Sequence, residues 1–86
     1  MVAEIAHISQ ALVAALSEAH ALVRSGTFGA DLVDLVRHVR EVGELLREAV
    51  ERAGHEVDAP TRAMADTLAA AVESLDAQIQ RKARHH

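Results

Sequence analysis

Between the first residues of the chain and Arg84, only two short stretches contain residues that break a helix. These are Ser25-Gly26-Thr27-Phe28-Gly29 and Gly54 to Pro60. In the first, two glycines give the backbone freedom to end one helix and turn the chain. In the second, Gly54 suits a helix C-terminus, and Asp58 before Ala59-Pro60 suits an N-cap with proline in the first turn. No proline interrupts the segments between. The spacing predicts helices at about 2–24, 30–53 and 59–83, each near ~35 Å at the α-helical rise.

Apolar periodicity gives each segment an inner face. In the second, Leu32, Leu35, Val39, Val42, Leu46, Ala49 and Ala53 recur at steps of three and four. The first keeps the step through Ile5, Ser9, Leu12, Leu16, Ala19 and Val23, supported by Ile8. The third does so through Thr61, Ala65, Leu68, Val72, Leu75, Ile79 and Lys82, with Met64 and Ala71 widening the stripe. Three such helices with short connections predict an all-α, antiparallel three-helix bundle in a single domain, able to associate into a larger helical oligomer. A helical hairpin with one long continuous helix is the alternative.

Composition limits how well this bundle holds itself together. Of 86 residues, 18 are alanine and one, Phe28, is aromatic. Small seam residues, with Gly43 beside them, let helix axes approach but bury little area. Larger apolar residues fall off the seams at Val13, Leu22, Val33 and Leu45. Together with Phe28, expected to cap one end of the core or anchor a partner, they are the candidate partner-binding residues.

The polar positions exclude several functions. Absence of cysteine removes thiolate chemistry and cysteine-based zinc sites. A net charge of -4 argues against a nucleic-acid partner. The sequence has no membrane-length apolar run and no signal-peptide pattern, so a soluble, cytoplasmic chain is the expectation. The bias to 8 Arg over 1 Lys resembles high-GC bacterial usage, and His85-His86 read as the start of an affinity tag. On the second helix, Arg37 with Glu41, Arg40 with Glu44, Arg47 with Glu51 and Glu48 with Arg52 are spaced for exposed ion pairs.

Six histidines supply the remaining candidate chemistry. Glu4 and His7 have the Glu-x-x-His spacing of helical di-metal sites, but His7 falls on the outer side of its helix and the neighbouring seams hold no further glutamates. His20 and His38 flank the core, and counting through the turns brings Asp34 and Asp76 to similar height. These four are the candidate metal site for zinc or iron. His55 is expected in an exposed connection. Ser9, on the first seam, is expected to bond back to the carbonyl four residues earlier.

Thr27-Phe28-Gly29 between two amphipathic helices resembles the Trp-x-Gly turn of the small helical-hairpin proteins of type VII secretion, a family that dimerises through helix faces. This chain has neither tryptophan nor tyrosine and carries a third helix, so the export function does not come with the resemblance. The sequence as a whole predicts a non-enzymatic, cofactor-free bundle that associates with itself or with one protein partner. Two alternatives stand beside it: a metal- or ligand-binding bundle, and a designed bundle suggested by the regular heptads.

Overall fold

The computed structural model describes residues 2–84, apart from the side chains of Val2 and Ala83. The proposed tag residues His85 and His86 lie outside the described residues. Three helices follow in order: α1 (Val2–Arg24), α2 (Ala30–Ala53) and α3 (Ala59–Arg84). They form the expected up-down-up bundle, 46 × 18 × 16 Å, and no strand occurs among the described residues. A single 3-10 turn, Gly54–Glu56, sits in the second connection.

Each break works through local backbone chemistry. The end of α1 is a Schellman motif: the Thr27 N–H donates to the Leu22 carbonyl at 3.0 Å, and the Gly26 N–H to that of Val23 at 3.1 Å. Gly26 takes the required left-handed backbone, φ 74°. Gly54 does the same after α2 at φ 55°, its N–H donating to the Val50 carbonyl. Arg62 of α3 then donates to the Gly54 carbonyl at 2.8 Å, closing the connection from the other side. Asp58 is the N-cap expected for α3, accepting the Thr61 N–H at 2.9 Å.

The seams of α1 and α2 are buried as the periodicity requires, except at Leu35, which is half-covered. Ile5, Leu12, Val23 and Val39 are among the largest fully enclosed side chains. Ala15 and Val50 join the core without having been expected there. Ser9 is buried and donates to the Ile5 carbonyl at 2.8 Å, so its hydroxyl costs the core little. The seat of α3 is shallower. Among its described residues only Leu68 and Leu75 are buried, while Ala65, Ala71, Val72 and Ile79 are half-covered.

Four expectations need correction. Met64 is exposed and does not fill the core, because it falls on the α1 flank of α3. Lys82 is exposed at the far end of the α3 seam. Leu22 is half-buried against the core, so it is no free off-seam residue. Of the exposed pairs expected along α2, only Arg47–Glu51 forms, at 2.6 Å, and Arg47 also binds Glu44 one turn earlier. Arg40 instead bridges to Asp76 of α3, and Arg52 approaches Glu4 of α1 at 3.8 Å. These two cations tie α2 to its neighbours across the bundle surface.

Gly43 is not a forced close approach. A Cβ there would meet Val72 Cγ2 at 3.6 Å, an ordinary contact. Gly43→Ala is therefore expected to raise stability by about 0.5–1 kcal/mol in denaturant unfolding, through helix propensity and a less flexible unfolded chain. Leu75→Ala, removing one of the two buried anchors of α3, is expected to cost about 2–5 kcal/mol in the same measurement.

Candidate interaction faces

The charged residues are divided unequally among the helices. Among the 24 residues of α2, ten are Asp, Glu or Arg; among the 23 of α1, three are. At about 100° per residue, the α3-facing flank and outer side of α1 present Ala3, Ala6, Gln10, Val13, Ala14 and Ser17, all exposed. The α1-facing flank and outer side of α3 present Ala63, Met64, Thr67, Ala70, Ser74 and Ala77, also exposed. These twelve positions carry no charge. At one point the two strips form a groove lined by Ala6, Ser9, Gln10, Val13, Ala14 and Met64.

Covering this band leaves few polar groups stranded. Thr67 donates to the Ala63 carbonyl at 3.0 Å and Ser9 to that of Ile5, so both hydroxyls are satisfied within their own helices. Val13 and Met64 are the large apolar side chains of the band, 49% and 39% exposed. Met64 was missed in the sequence because the widened α3 seam absorbed it. The signal that could have found the face was the run of outer positions on two helices with no charge.

The five expected partner-binding residues do not converge into one patch. Val13 belongs to the uncharged α1/α3 band. Leu22 lines a groove between α1 and α2 with Leu35, Glu18 and Asp31. Phe28 and Val33 share a cleft between α2 and α3, with Leu32, Val36, Ile79, Arg37 and Arg40. Leu45 is 51% exposed and lines none of these grooves. Phe28 thus caps the core only in part, being 38% exposed.

The proposed metal set does not assemble either. His20 is half-buried on α1, and Asp34 and His38 are exposed on α2. Asp76, on α3, is held by Arg40 and by Gln80, whose amide donates at 3.3 Å. His38 and Arg40 stand two residues apart, hence roughly 200° apart around α2. A carboxylate that meets Arg40 on the α3 flank therefore cannot also meet His38. Among the described residues no group of three or more His, Asp or Glu is disposed to hold a metal ion. Glu4 and His7 are both exposed, and Glu4 faces Arg52; His55 is exposed in the second connection.

Electrostatic perturbation is confined to structural contacts. Glu44 is lowered from its ordinary value by its hydrogen bond to Arg47, and Arg47 is raised by Glu44 and Glu51. Asp58 is lowered by its hydrogen bonds with Thr61, through the side chain and the backbone N–H.

The architecture defines a class before it defines a family: a small, all-helical bundle of three antiparallel helices with a charged central helix and an uncharged outer face. The family model described as the Rv0313 N-terminal three-helix region matches residues 23–85, the end of α1 through α3, and the chain belongs to that family. No curated protein and no solved structure matches it. No helix among the described residues is long and apolar enough to cross a membrane.

The Asp58 cap sets a pH dependence with a definite sign. Its carboxyl is depressed in the folded state, so its stabilisation is complete above the unfolded-state value and is lost as pH falls through the folded one. Asp58→Asn is expected to flatten the fall of melting temperature between about pH 5 and pH 2 relative to wild type, as followed by circular dichroism.

Proposed function

We propose that this chain is a non-enzymatic association module whose α1/α3 face packs against the same face of a second copy. One observation carries the reading: two helices of a chain that is 26% charged present adjoining outer strips that carry no Asp, Glu, Lys or Arg from Ala3 to Ser17 on α1 and from Ala63 to Ala77 on α3. Charged α2 stays in solvent, and the uncharged band is what another surface covers.

Several features favour a second copy as the occupant. An uncharged band of small side chains cannot select a partner by charge, and a two-fold axis matches the band to itself. On that axis α1 of one copy faces α3 of the other, and Val13 is brought toward Met64. Alanines let the helix axes approach closely, as the α1–α2 seam already does within the chain. The band spans α1 residues 3–17, roughly 22 Å at the helical rise. Across the 18 Å width of the molecule, this gives roughly 400 Å2 per copy and 800 Å2 in all. That total lies below the roughly 1,000 Å2 of a stable specific interface, so the dimer is weak and reversible. Its strength then depends on the two larger side chains.

Sedimentation velocity across micromolar to hundreds of micromolar protein tests the proposal. Wild type is expected to shift reversibly from monomer to dimer. Val13→Glu or Met64→Glu, both at exposed positions, should weaken the dimer at least tenfold without changing the helical circular dichroism signal. A wild-type chain that stays monomeric over the whole range, or variants that dimerise as wild type does, would overturn it.

A further inference from the structure

The grooves along the helix flanks differ in charge. The one between α2 and α3 near Gly43 is lined by Arg47, Glu51, Arg62 and Asp66, two of each sign. The α1/α2 groove has Glu18 and Asp31. The α1/α3 groove has none. The cleft where α3 ends beside the start of α2 has only Arg37 and Arg40, in a chain whose net charge is -4.

That cleft is also apolar. Its volume is about 430 Å3, and its walls are Phe28, Leu32, Val33, Val36 and Ile79, with Val33 59% exposed. Arg40 is engaged by Asp76, whereas Arg37 forms no ion pair among the described residues. The Arg40–Asp76 bridge fixes the antiparallel register, bringing the last turn of α3 level with the first turns of α2. That last turn carries Arg81, Lys82 and Arg84, none of them in an ion pair among the described residues; about five turns on from Asp66, Arg84 falls on the α2 flank, whereas Arg81 and Lys82 follow Ala63 and Met64 on the side away from the cleft.

Backbone charge has the same sign on the α2 side. The helix begins at Ala30 beside the cleft, and Gly29 gives its first N–H groups no side-chain cap. Asp31, the acidic residue of that first turn, offsets part of their partial positive charge from the α1/α2 side. The C-terminus of α3 contributes about half a negative charge, against three cations in its last turn. Of the neighbouring carboxylates of α2, Asp31 lines the α1/α2 groove and Glu44 is bound by Arg47.

We infer that this cleft docks an acidic amphipathic helix from a partner protein: large apolar side chains at every third or fourth position enter between Phe28, Val33 and Ile79, while flanking carboxylates meet Arg37 and Arg84. The apolar contact supplies affinity, and the cations set orientation and exclude basic helices. The cleft lies on the α2/α3 flank, apart from the α1/α3 band, so docking and self-association are separable. A single-sign rim around an apolar trough is what distinguishes an acidic helix from an arbitrary apolar ligand.

The probe is a fluorescein-labelled helical peptide with leucine at every third or fourth position and glutamate and alanine between. Its counterpart has lysine in place of each glutamate. Fluorescence anisotropy is measured on the full chain and on its Val13→Glu variant, so that dimerisation and docking are read independently. The glutamate peptide is expected to bind saturably, at least tenfold tighter than the lysine peptide, and to weaken several-fold at high salt. Arg37→Glu should reduce its affinity at least tenfold and Val33→Ser several-fold, whereas the remote Arg52→Glu should change it less than twofold. Absence of binding, equal binding of the two peptides, or an unchanged affinity in Arg37→Glu would overturn the inference. So would co-sedimentation with phosphatidylglycerol vesicles that exceeds peptide binding.

Discussion

The apolar seam between α1 and α2 is the contact on which the rest of the molecule rests. It draws on Ile5, Leu12, Leu16 and Val23 from one helix and Leu32, Val39, Val42 and Leu46 from the other, all buried. Alanines at 15, 19, 49 and 53 complete it. Burial of a branched aliphatic side chain is worth roughly 1.5–3 kcal/mol, and of an alanine much less, so the larger residues hold the pair together while the alanines set its spacing. The Schellman turn at Gly26 keeps the two helices antiparallel by ending α1 with its carbonyls satisfied.

The third helix depends on that pair more than the pair depends on it. It brings two buried anchors, Leu68 and Leu75, to a ridge that α1 and α2 have already formed. Polar links supplement the anchors. Arg40 reaches Asp76, Arg62 reaches the Gly54 carbonyl, and Asp58 starts the helix. Exposed ion pairs contribute little individually, so their main effect is on register. The half-covered residues beside the anchors are a direct result of this shallow seat, and they leave grooves along both flanks of α3.

Those grooves inherit different chemistry from the helices that border them. Along the groove of Ala6, Val13 and Met64, where α3 meets α1, neither helix brings charge. Where the end of α3 meets the start of α2, arginine lines an apolar cleft. One small fold thus presents two surfaces of different chemistry, one small-residued and uncharged, the other apolar and lined by arginine.

The sequence by itself determined the elements and most of the core. Gly26, Gly54 and Asp58 delimit helices through local hydrogen bonds, and the steps of three and four mark which side of each helix turns inward; both are properties of the chain within a few residues. Ser9 was legible for the same reason, its partner being one turn away. What tertiary structure decided were matters of flank and register between helices distant in sequence. Arg40 had a carboxylate four residues on, yet bridges to Asp76, thirty-six residues away. His38 shares a height with Asp76 but lies on the wrong side of α2, so the four proposed ligands stay apart. Val13, Leu22, Phe28, Val33 and Leu45 all looked surplus to the seams, but only the packing of α3 divided them among separate surfaces and left Met64 beside Val13. Periodicity along one helix gives the angle of a side chain about its own axis; which neighbour stands at that angle is set only when the helices pack.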